Sequence, residues 1–133
     1  MTATLNCTET VVHVTGLEVP AFVGLHIEER QVPQTVVIDI ECVLRRPVVQ
    51  NDDLSESVDY MPIVNAVRTL ASYCQRKLIE SLAEEIAVVC FKNKHVHECR
   101  IRIRKPRKFP DCAFVGVTRT FKRSSIRKGR THV

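Results

Sequence analysis

The sequence contains no tryptophan, and aromatic residues make up only 5% of its 133 residues. It also lacks any apolar run near the roughly 20 residues that a membrane-spanning helix requires. The first ten residues, MTATLNCTET, have neither the basic start nor the apolar core of a signal peptide. These absences argue against a membrane protein and favour one cytoplasmic domain with a single hydrophobic core.

Closely spaced cysteine pairs are missing as well. None of the six cysteines forms a CxxC pair, and four of them, Cys42, Cys74, Cys90 and Cys99, fall at apolar phases of the predicted elements. A thiol in such a position behaves as a small hydrophobic group, so we expect reduced cysteines rather than a disulfide scaffold. His95, His97 and Cys99 alternate like metal ligands, but they have no partner pair elsewhere. We therefore predict no metal site and no cofactor.

Excess positive charge is confined to one end of the chain. The net charge is +5, and residues 122–133 contain basic side chains but no acid, whereas the rest of the chain is balanced. We predict a single domain over residues 1–121 and a basic, flexible tail over residues 122–133. A module that binds nucleic acid or acts as a scaffold through this tail stays an alternative. The run RIRIRKPRK has little aromatic interleaving, which makes nucleic acid the less favoured partner.

The hydrophobic periodicity changes along the chain from strand to helix and back. A period of two indicates strands over residues 9–19, 35–44, 97–105 and 113–122, and a helical period covers residues 61–74 and 79–90. Pro20 is expected to end the first strand, and a long loop then carries Glu28 and Glu29 to the second strand. No Gly or Pro separates the helical segments, so one continuous helix is not excluded. The order ββααββ predicts an α+β fold, a four-stranded antiparallel sheet with two helices on one face.

The other sheet face is predicted to be highly charged. Asp39 and Glu41 alternate on the second strand, and Arg100, Arg102 and Arg104 alternate on the third. Charges at this density are expected to be solvated (wet) or paired with opposite charges rather than buried in the hydrophobic core. Such a face is also compatible with a ring of subunits in which it lines a channel.

Four segments give the chain a family resemblance: GLEVPAFVGLHIEERQVPQTVVIDIE at 16–41, NDDLSESVDY at 51–60, KLIESLAEEIA at 77–87 and IRIRKP at 101–106. In this order and spacing, the chain resembles the dihydroneopterin aldolases of folate biosynthesis over residues 9–121. The resemblance implies the tunnelling fold, in which tetrameric rings enclose a central β-barrel and commonly stack into octamers. It also implies a homo-oligomer with pterin sites between neighbouring subunits.

The same resemblance implies a lyase reaction. The family cleaves 7,8-dihydroneopterin by a retro-aldol step to 6-hydroxymethyl-7,8-dihydropterin and glycolaldehyde. It uses neither a metal nor a lysine Schiff base, because the pterin's own N5=C6 imine accepts the electrons. The protein then has to remove the 2′-hydroxyl proton and return a proton to carbon.

The resemblance also assigns roles to particular residues. Glu80 matches the carboxylate that anchors the pterin, and backbone groups of Ile79 and Val58 match positions that meet the pterin. Lys105 matches the catalytic base or proton relay, and its strand phase is that of Ile101 and Ile103 on the covered face. The two other catalytic candidates are Glu29, expected to orient this lysine and a water, and Tyr60, expected to relay a proton from the neighbouring subunit.

Two other enzymatic readings remain open from the sequence. A related epimerase inverts the 2′-carbon of dihydroneopterin triphosphate and would use the same base, with different phosphate recognition. A Schiff-base aldolase centred on Lys105 is the other, minor alternative. The segments IEERQVPQTVVIDIE and SLAEEIA look closer to the aldolase pattern.

Overall fold

A computed structural model describes residues 5–45 and 49–124. Its helices and strands are β1 (Val11–Ala21), α1 (Ile27–Gln31), β2 (Gln34–Leu44), a 3-10 turn (Leu54–Glu56), α2 (Tyr60–Tyr73), α3 (Ile79–Phe91), β3 (Val96–Phe109) and β4 (Cys112–Lys122). The strands form one antiparallel sheet in the order β1-β2-β3-β4. This confirms the predicted α+β architecture.

The hydrophobic core lies between one sheet face and the helices α2 and α3. Alternate residues of β2 and β3 are fully buried there, including Ile38, Ile40, Ile101 and Ile103. The inward faces of the helices supply the other half of the core, through Val67, Ala71, Leu82, Ala83 and Ile86. The period-two and helical patterns of the sequence therefore predicted the core correctly.

The two helical segments are separate helices. Asp59 caps α2, because its Oδ1 accepts a hydrogen bond from the Met61 amide at 3.1 Å. The helix ends at Tyr73, and Cys74 has extended backbone angles of φ −140° and ψ 161°. Because the helical phase stops one residue earlier, Cys74 is exposed, and its predicted place on the apolar face is wrong.

Arg76 ties the connection between α2 and α3 to the segment that follows β1. Its backbone N–H donates to the Phe22 carbonyl at 2.9 Å, and its carbonyl accepts from the Gly24 amide at 3.0 Å. The Arg76 side chain is buried and pairs with Glu85 of α3, with Nε–Oε2 at 2.5 Å and Nη2–Oε1 at 2.9 Å. This bidentate pair raises the pKa of Arg76 and lowers that of Glu85. Anchored by this pair, Arg76 holds residues 22–24 in place through its two backbone hydrogen bonds.

Three boundaries differ from the sequence prediction. Pro20 lies inside β1 rather than at its end, because β1 is an edge strand, where a residue without an N–H is tolerated. The predicted loop between the first two strands contains the short helix α1. Strand β3 continues to Phe109, beyond its predicted end at residue 105. The register of β3 against β4 shifts between Pro106 and Phe109.

On the charged sheet face Asp39 is paired, whereas Glu41, Arg100 and Arg102 are exposed, so these charges are wet or paired as predicted. Asp39 lies opposite Arg102 in the register, and its Oδ2 is 3.1 Å from Arg104 Nη2 and 3.8 Å from Arg102 Nη1. Its Oδ1 accepts a hydrogen bond from the Gly16 amide at 2.7 Å. Gly16 has φ +72° at an irregularity of β1, so this contact depends on a left-handed backbone conformation that glycine adopts readily.

The predicted basic tail begins inside the folded part of the chain. Lys122 ends β4, and the Arg123 guanidinium donates to the carbonyls of Phe91, Asn93 and Val96 at 2.7–3.0 Å. A cation at these carbonyls also complements the carboxyl-terminal end of α3. The remainder of the predicted tail, residues 125–133, lies outside the described residues.

In the described parts of the chain all six cysteines are free, and Cys42, Cys90 and Cys99 are buried. The Cys42 thiol is the donor in a hydrogen bond with Cys90, and this bond, together with burial, raises the pKa of Cys42 and keeps it protonated. Residues 5–45 and 49–124 contain no group of three or more metal-ligating side chains. They also contain no helix that is long and apolar enough to cross a membrane.

Candidate active site

A pocket of about 360 Å³ opens where α1, the start of α3, the last part of β3 and the first half of β4 meet. Its volume falls in the range of small-molecule sites. The lining residues are Leu25, His26, Glu29, Lys77, Leu78, Ile79, Glu80, Lys105, Lys108, Val115, Gly116 and Val117. Four of the six residues singled out from the sequence, Glu29, Ile79, Glu80 and Lys105, therefore lie together in one protomer.

Glu29 is the third residue of α1 and is held from several sides. Its Oε1 accepts a hydrogen bond from the His26 amide at 3.2 Å, the return half of a capping box. The Glu29 backbone carbonyl accepts from Gln34 Nε2 at 3.2 Å. Arg30 closes the preceding turn by donating to the carbonyls of Gly24 and Leu25 at 2.8 and 2.9 Å. The carboxylate is consequently part of an ordered turn rather than a solvated loop.

Two lysines of β3 approach the other oxygen of this carboxylate. Lys108 Nζ lies 2.9 Å from Glu29 Oε2, and Lys105 Nζ lies 3.7 Å from the same atom. Lys105 Nζ is also 3.4 Å from the Val23 carbonyl oxygen. The hydrogen bond from Lys108, followed by that from the His26 amide, lowers the pKa of Glu29 to about 2. Glu29 is therefore ionised at neutral pH.

Glu80 occupies the first turn of α3, beside Ile79. The Glu80 backbone carbonyl accepts a hydrogen bond from Arg119 Nη1 at 3.0 Å, and the Arg119 guanidinium stacks 4.9 Å from the Phe121 ring centre. This contact ties the start of α3 to β4. It fixes the backbone of Glu80, which lines the pocket.

Two glycines allow the walls of the pocket to approach closely. A Cβ at Gly24 would overlap the Glu29 side chain, with Oε1 only 2.8 Å away. A Cβ at Gly116 would overlap the Ile103 carbonyl and stand 3.1 Å from Arg104 Cγ. At both positions the absence of a side chain is a steric requirement of the site.

Tyr60 and Val58 do not line this pocket within one protomer. Tyr60 begins α2 and is 53% exposed, whereas Val58 is buried in the core at 3% exposure. The structure thus places neither side chain beside Glu29 or Lys105 of the same chain. The Tyr60 side chain is accessible to another subunit.

Three site-supporting features were not found from the sequence. Lys108 lies three residues after Lys105, a spacing that puts side chains on opposite faces of a regular strand. Glu85 pairs with Arg76, nine residues away. Arg119 reaches Glu80 from another strand. None of these contacts has a local sequence signal, since each depends on the tertiary fold.

The chain matches a family model described as dihydroneopterin aldolase over residues 12–120. The dihydroneopterin aldolase of Streptomyces coelicolor is 34% identical over 112 residues, covering 84% of this chain and 94% of that relative. The match with the family model includes every residue that lines the pocket.

Solved structures of similar proteins share the fold. A structure described as a dihydroneopterin aldolase from Vibrio cholerae has a TM-score of 0.79 and 30% identity, covering 88% of this chain and all of that chain. The Escherichia coli dihydroneopterin aldolase in complex with neopterin has a TM-score of 0.72 and 25% identity. That comparison covers 84% of this chain and 98% of the Escherichia coli chain.

Proposed function

Since the chain belongs to the dihydroneopterin aldolase family, we propose that its pocket carries out the retro-aldol cleavage of 7,8-dihydroneopterin. The products are 6-hydroxymethyl-7,8-dihydropterin and glycolaldehyde. The observation that carries this proposal is the meeting of Glu29, Glu80 and Lys105 in one pocket, although they lie on three different elements. The pocket therefore combines a candidate anchor for the heterocycle with candidate acid and base groups.

Glu80 is the proposed anchor for the pterin ring. The 2-amino group and the N3–H of a pterin are adjacent parallel donors, and one carboxylate accepts both in a bidentate pair. Ile79 and the apolar side chains of Leu78, Val115 and Val117 line the same pocket and can cover the flat faces of the ring. The neopterin complex of the Escherichia coli relative supports a pterin as the ligand class.

Lys105 is the proposed base or relay for the 2′-hydroxyl proton. When this proton leaves, the bond between C1′ and C2′ breaks, and its electrons pass into the N5=C6 imine of the pterin. C2′ leaves as the aldehyde carbon of glycolaldehyde, and C1′ takes a proton to become the hydroxymethyl group. Glu29, ionised beside Lys105, orients the lysine and a water for these transfers.

We assign Tyr60 to the site of a neighbouring subunit, within a homo-oligomer. Tyr60 and Met61 are exposed at the start of α2, and Leu25, Ile27 and Leu78 are exposed around the pocket. Exposed apolar side chains of this kind are typical of surfaces that another chain covers. A ring of four subunits, or two stacked rings, would bring the start of α2 and the backbone of Val58 to a neighbour's pocket. A cytoplasmic location stays a prediction.

A product assay tests the proposed function. We expect 7,8-dihydroneopterin to disappear with equimolar release of glycolaldehyde, and borohydride to trap no covalent adduct on Lys105. Dihydroneopterin triphosphate is the second substrate to test. Inversion at C2′ without cleavage of either compound would assign the pocket to epimerisation instead.

A further inference from the structure

The Glu29 carboxylate has two ammonium neighbours but makes a short hydrogen bond with only one. Lys108 Nζ is at 2.9 Å from Oε2, whereas Lys105 Nζ is at 3.7 Å, beyond hydrogen-bonding distance. Oε1 already accepts from the His26 amide. Within the described residues, the Lys105 side chain makes only one hydrogen bond, the long one of 3.4 Å to the Val23 carbonyl.

An irregularity in β3 puts both lysines on the same side of the sheet. From Pro106 to Phe109 β3 advances three residues, while β4 advances only two, from Phe114 to Cys112. The extra residue is a β-bulge, and Arg107 within it has φ +56°. A left-handed conformation is unfavourable for a residue with a Cβ, and such outliers point to a functional requirement. Here its effect is to bring Lys108 to Glu29.

We propose that Lys108 is a positioning residue of this site, which holds the Glu29 carboxylate and thereby leaves the Lys105 amine available for proton transfer. The inference rests on the proposed function. It adds a second lysine, delivered by a bulge, to the set of residues that the family resemblance assigned. Lys108 acts through Glu29 rather than by touching the reacting atoms.

The charged groups around Glu29 determine how the pKa of Glu29 changes when Lys108 is removed. The titratable groups that line the pocket with Glu29 are His26, Lys77, Glu80, Lys105 and Lys108. The hydrogen bond from Lys108 is the largest cause of the low pKa of Glu29. Without Lys108 the Glu29 pKa rises toward its ordinary value of 4.5, so the carboxylate begins to be protonated as the pH falls toward 5. With Lys108 present, Glu29 stays ionised over that range.

The test compares Lys108→Met and Lys108→Arg with Lys122→Met as a matched control. Lys122 is also a β-strand lysine facing a glutamate, with Nζ 3.8 Å from Glu98 Oε1, but it lies outside the pocket. We expect Lys108→Met to lower kcat about 10-fold or more at pH 7 while KM changes less than about 3-fold. Its activity should also fall on the acid side, below about pH 5, whereas Lys108→Arg keeps at least about a third of wild-type kcat.

A readout without turnover separates this inference from the proposed function. The carboxyl carbon of ¹³C-labelled Glu29 is followed by NMR between pH 4 and 7, where wild type is predicted to show no titration and Lys108→Met to show its onset. If the wild-type protein releases no glycolaldehyde, the proposed function fails, and this titration still tests the contact. An unchanged kcat, pH profile and Glu29 titration in Lys108→Met would overturn the positioning role. Lys108 is 40% exposed, so the substitution removes no core contact.

Discussion

Glu29 and Glu80 line the same pocket but are fixed by different means. The Glu29 carboxylate is held directly, by the His26 amide and the Lys108 ammonium. For Glu80 it is the backbone carbonyl that Arg119 holds, and the carboxylate has no hydrogen bond or ion pair among the described residues, so it is left to meet a ligand. The first arrangement suits an ionised group beside a proton relay, and the second suits an anchor that pairs with a ligand.

Replacement of Glu80 by alanine should therefore weaken binding more than it slows chemistry. Loss of two charge-assisted hydrogen bonds predicts an affinity for 6-hydroxymethylpterin that is about 10- to 100-fold weaker. Equilibrium fluorescence titration measures this directly. The matched control is Glu84→Ala, which removes an exposed glutamate from the same helix, outside the pocket. Normal pterin binding by Glu80→Ala would remove Glu80 from its role as anchor.

Replacement of Lys105 by alanine should slow the chemical step more than it weakens pterin binding. A general base or relay contributes about 10²–10⁴-fold to rate, so kcat should fall by that factor. Pterin affinity should change by less than about 3-fold, because Lys105 is assigned to the side-chain hydroxyl and not to the ring. Steady-state kinetics and the same fluorescence titration give both numbers, with exposed Lys94→Ala as control. Parallel losses in kcat and affinity would contradict the assignment.

At the scale of the element, the sequence predicted the regular parts of the fold better than the pieces that build the site. The strands and helices were found because their apolar residues repeat regularly, as in the buried positions of β2. The short helix α1 was missed because its N-cap is His26 rather than a typical capping residue. The bulge at Arg107 was missed because its register is set by pairing with β4, which no local pattern encodes.

Gly24, in the turn before α1, and Gly16, in β1, together give a prediction at the scale of the element. A Cβ at Gly24 has to displace Glu29, so Gly24→Ala should lower kcat about 10-fold or more, because small misplacements of catalytic groups are costly. Gly16 has open space around it but φ +72°, so Gly16→Ala should cost about 1–2 kcal/mol of stability and leave kcat unchanged. Thermal unfolding and kinetics of both variants check this. Wild-type turnover by folded Gly24→Ala would contradict the steric argument.

At the scale of the whole molecule, one protomer has an incomplete set of the residues assigned to catalysis. Glu29, Glu80 and Lys105 come together within the chain, but Tyr60 lies outside their pocket. Sequence resemblance suggested a contribution from a neighbour, and the exposure of Tyr60 is compatible with it. Sequence periodicity cannot reveal such a site, because it reports only which face of an element is covered.

Mixed oligomers test whether two subunits build each site. Co-expression of Tyr60→Phe with Lys105→Ala should restore activity, because about a quarter of randomly assembled sites in a symmetric oligomer would draw Tyr60 and Lys105 from unmutated positions. The control is Glu29→Gln with Lys105→Ala, which alter the same protomer's pocket and should show no rescue. Failure of the first pair, with confirmed mixed assembly, would place Tyr60 in the same subunit's site or outside the mechanism.

We expect this pocket to break the bond between C1′ and C2′ and to return a proton to C1′. Incubation of the wild-type protein with 7,8-dihydroneopterin in D₂O, followed by mass spectrometry and NMR of the products, tests it directly. We predict equimolar glycolaldehyde and 6-hydroxymethyl-7,8-dihydropterin, with one deuterium on the hydroxymethyl carbon. Unchanged substrate, or a 2′-epimer formed without glycolaldehyde, would contradict it.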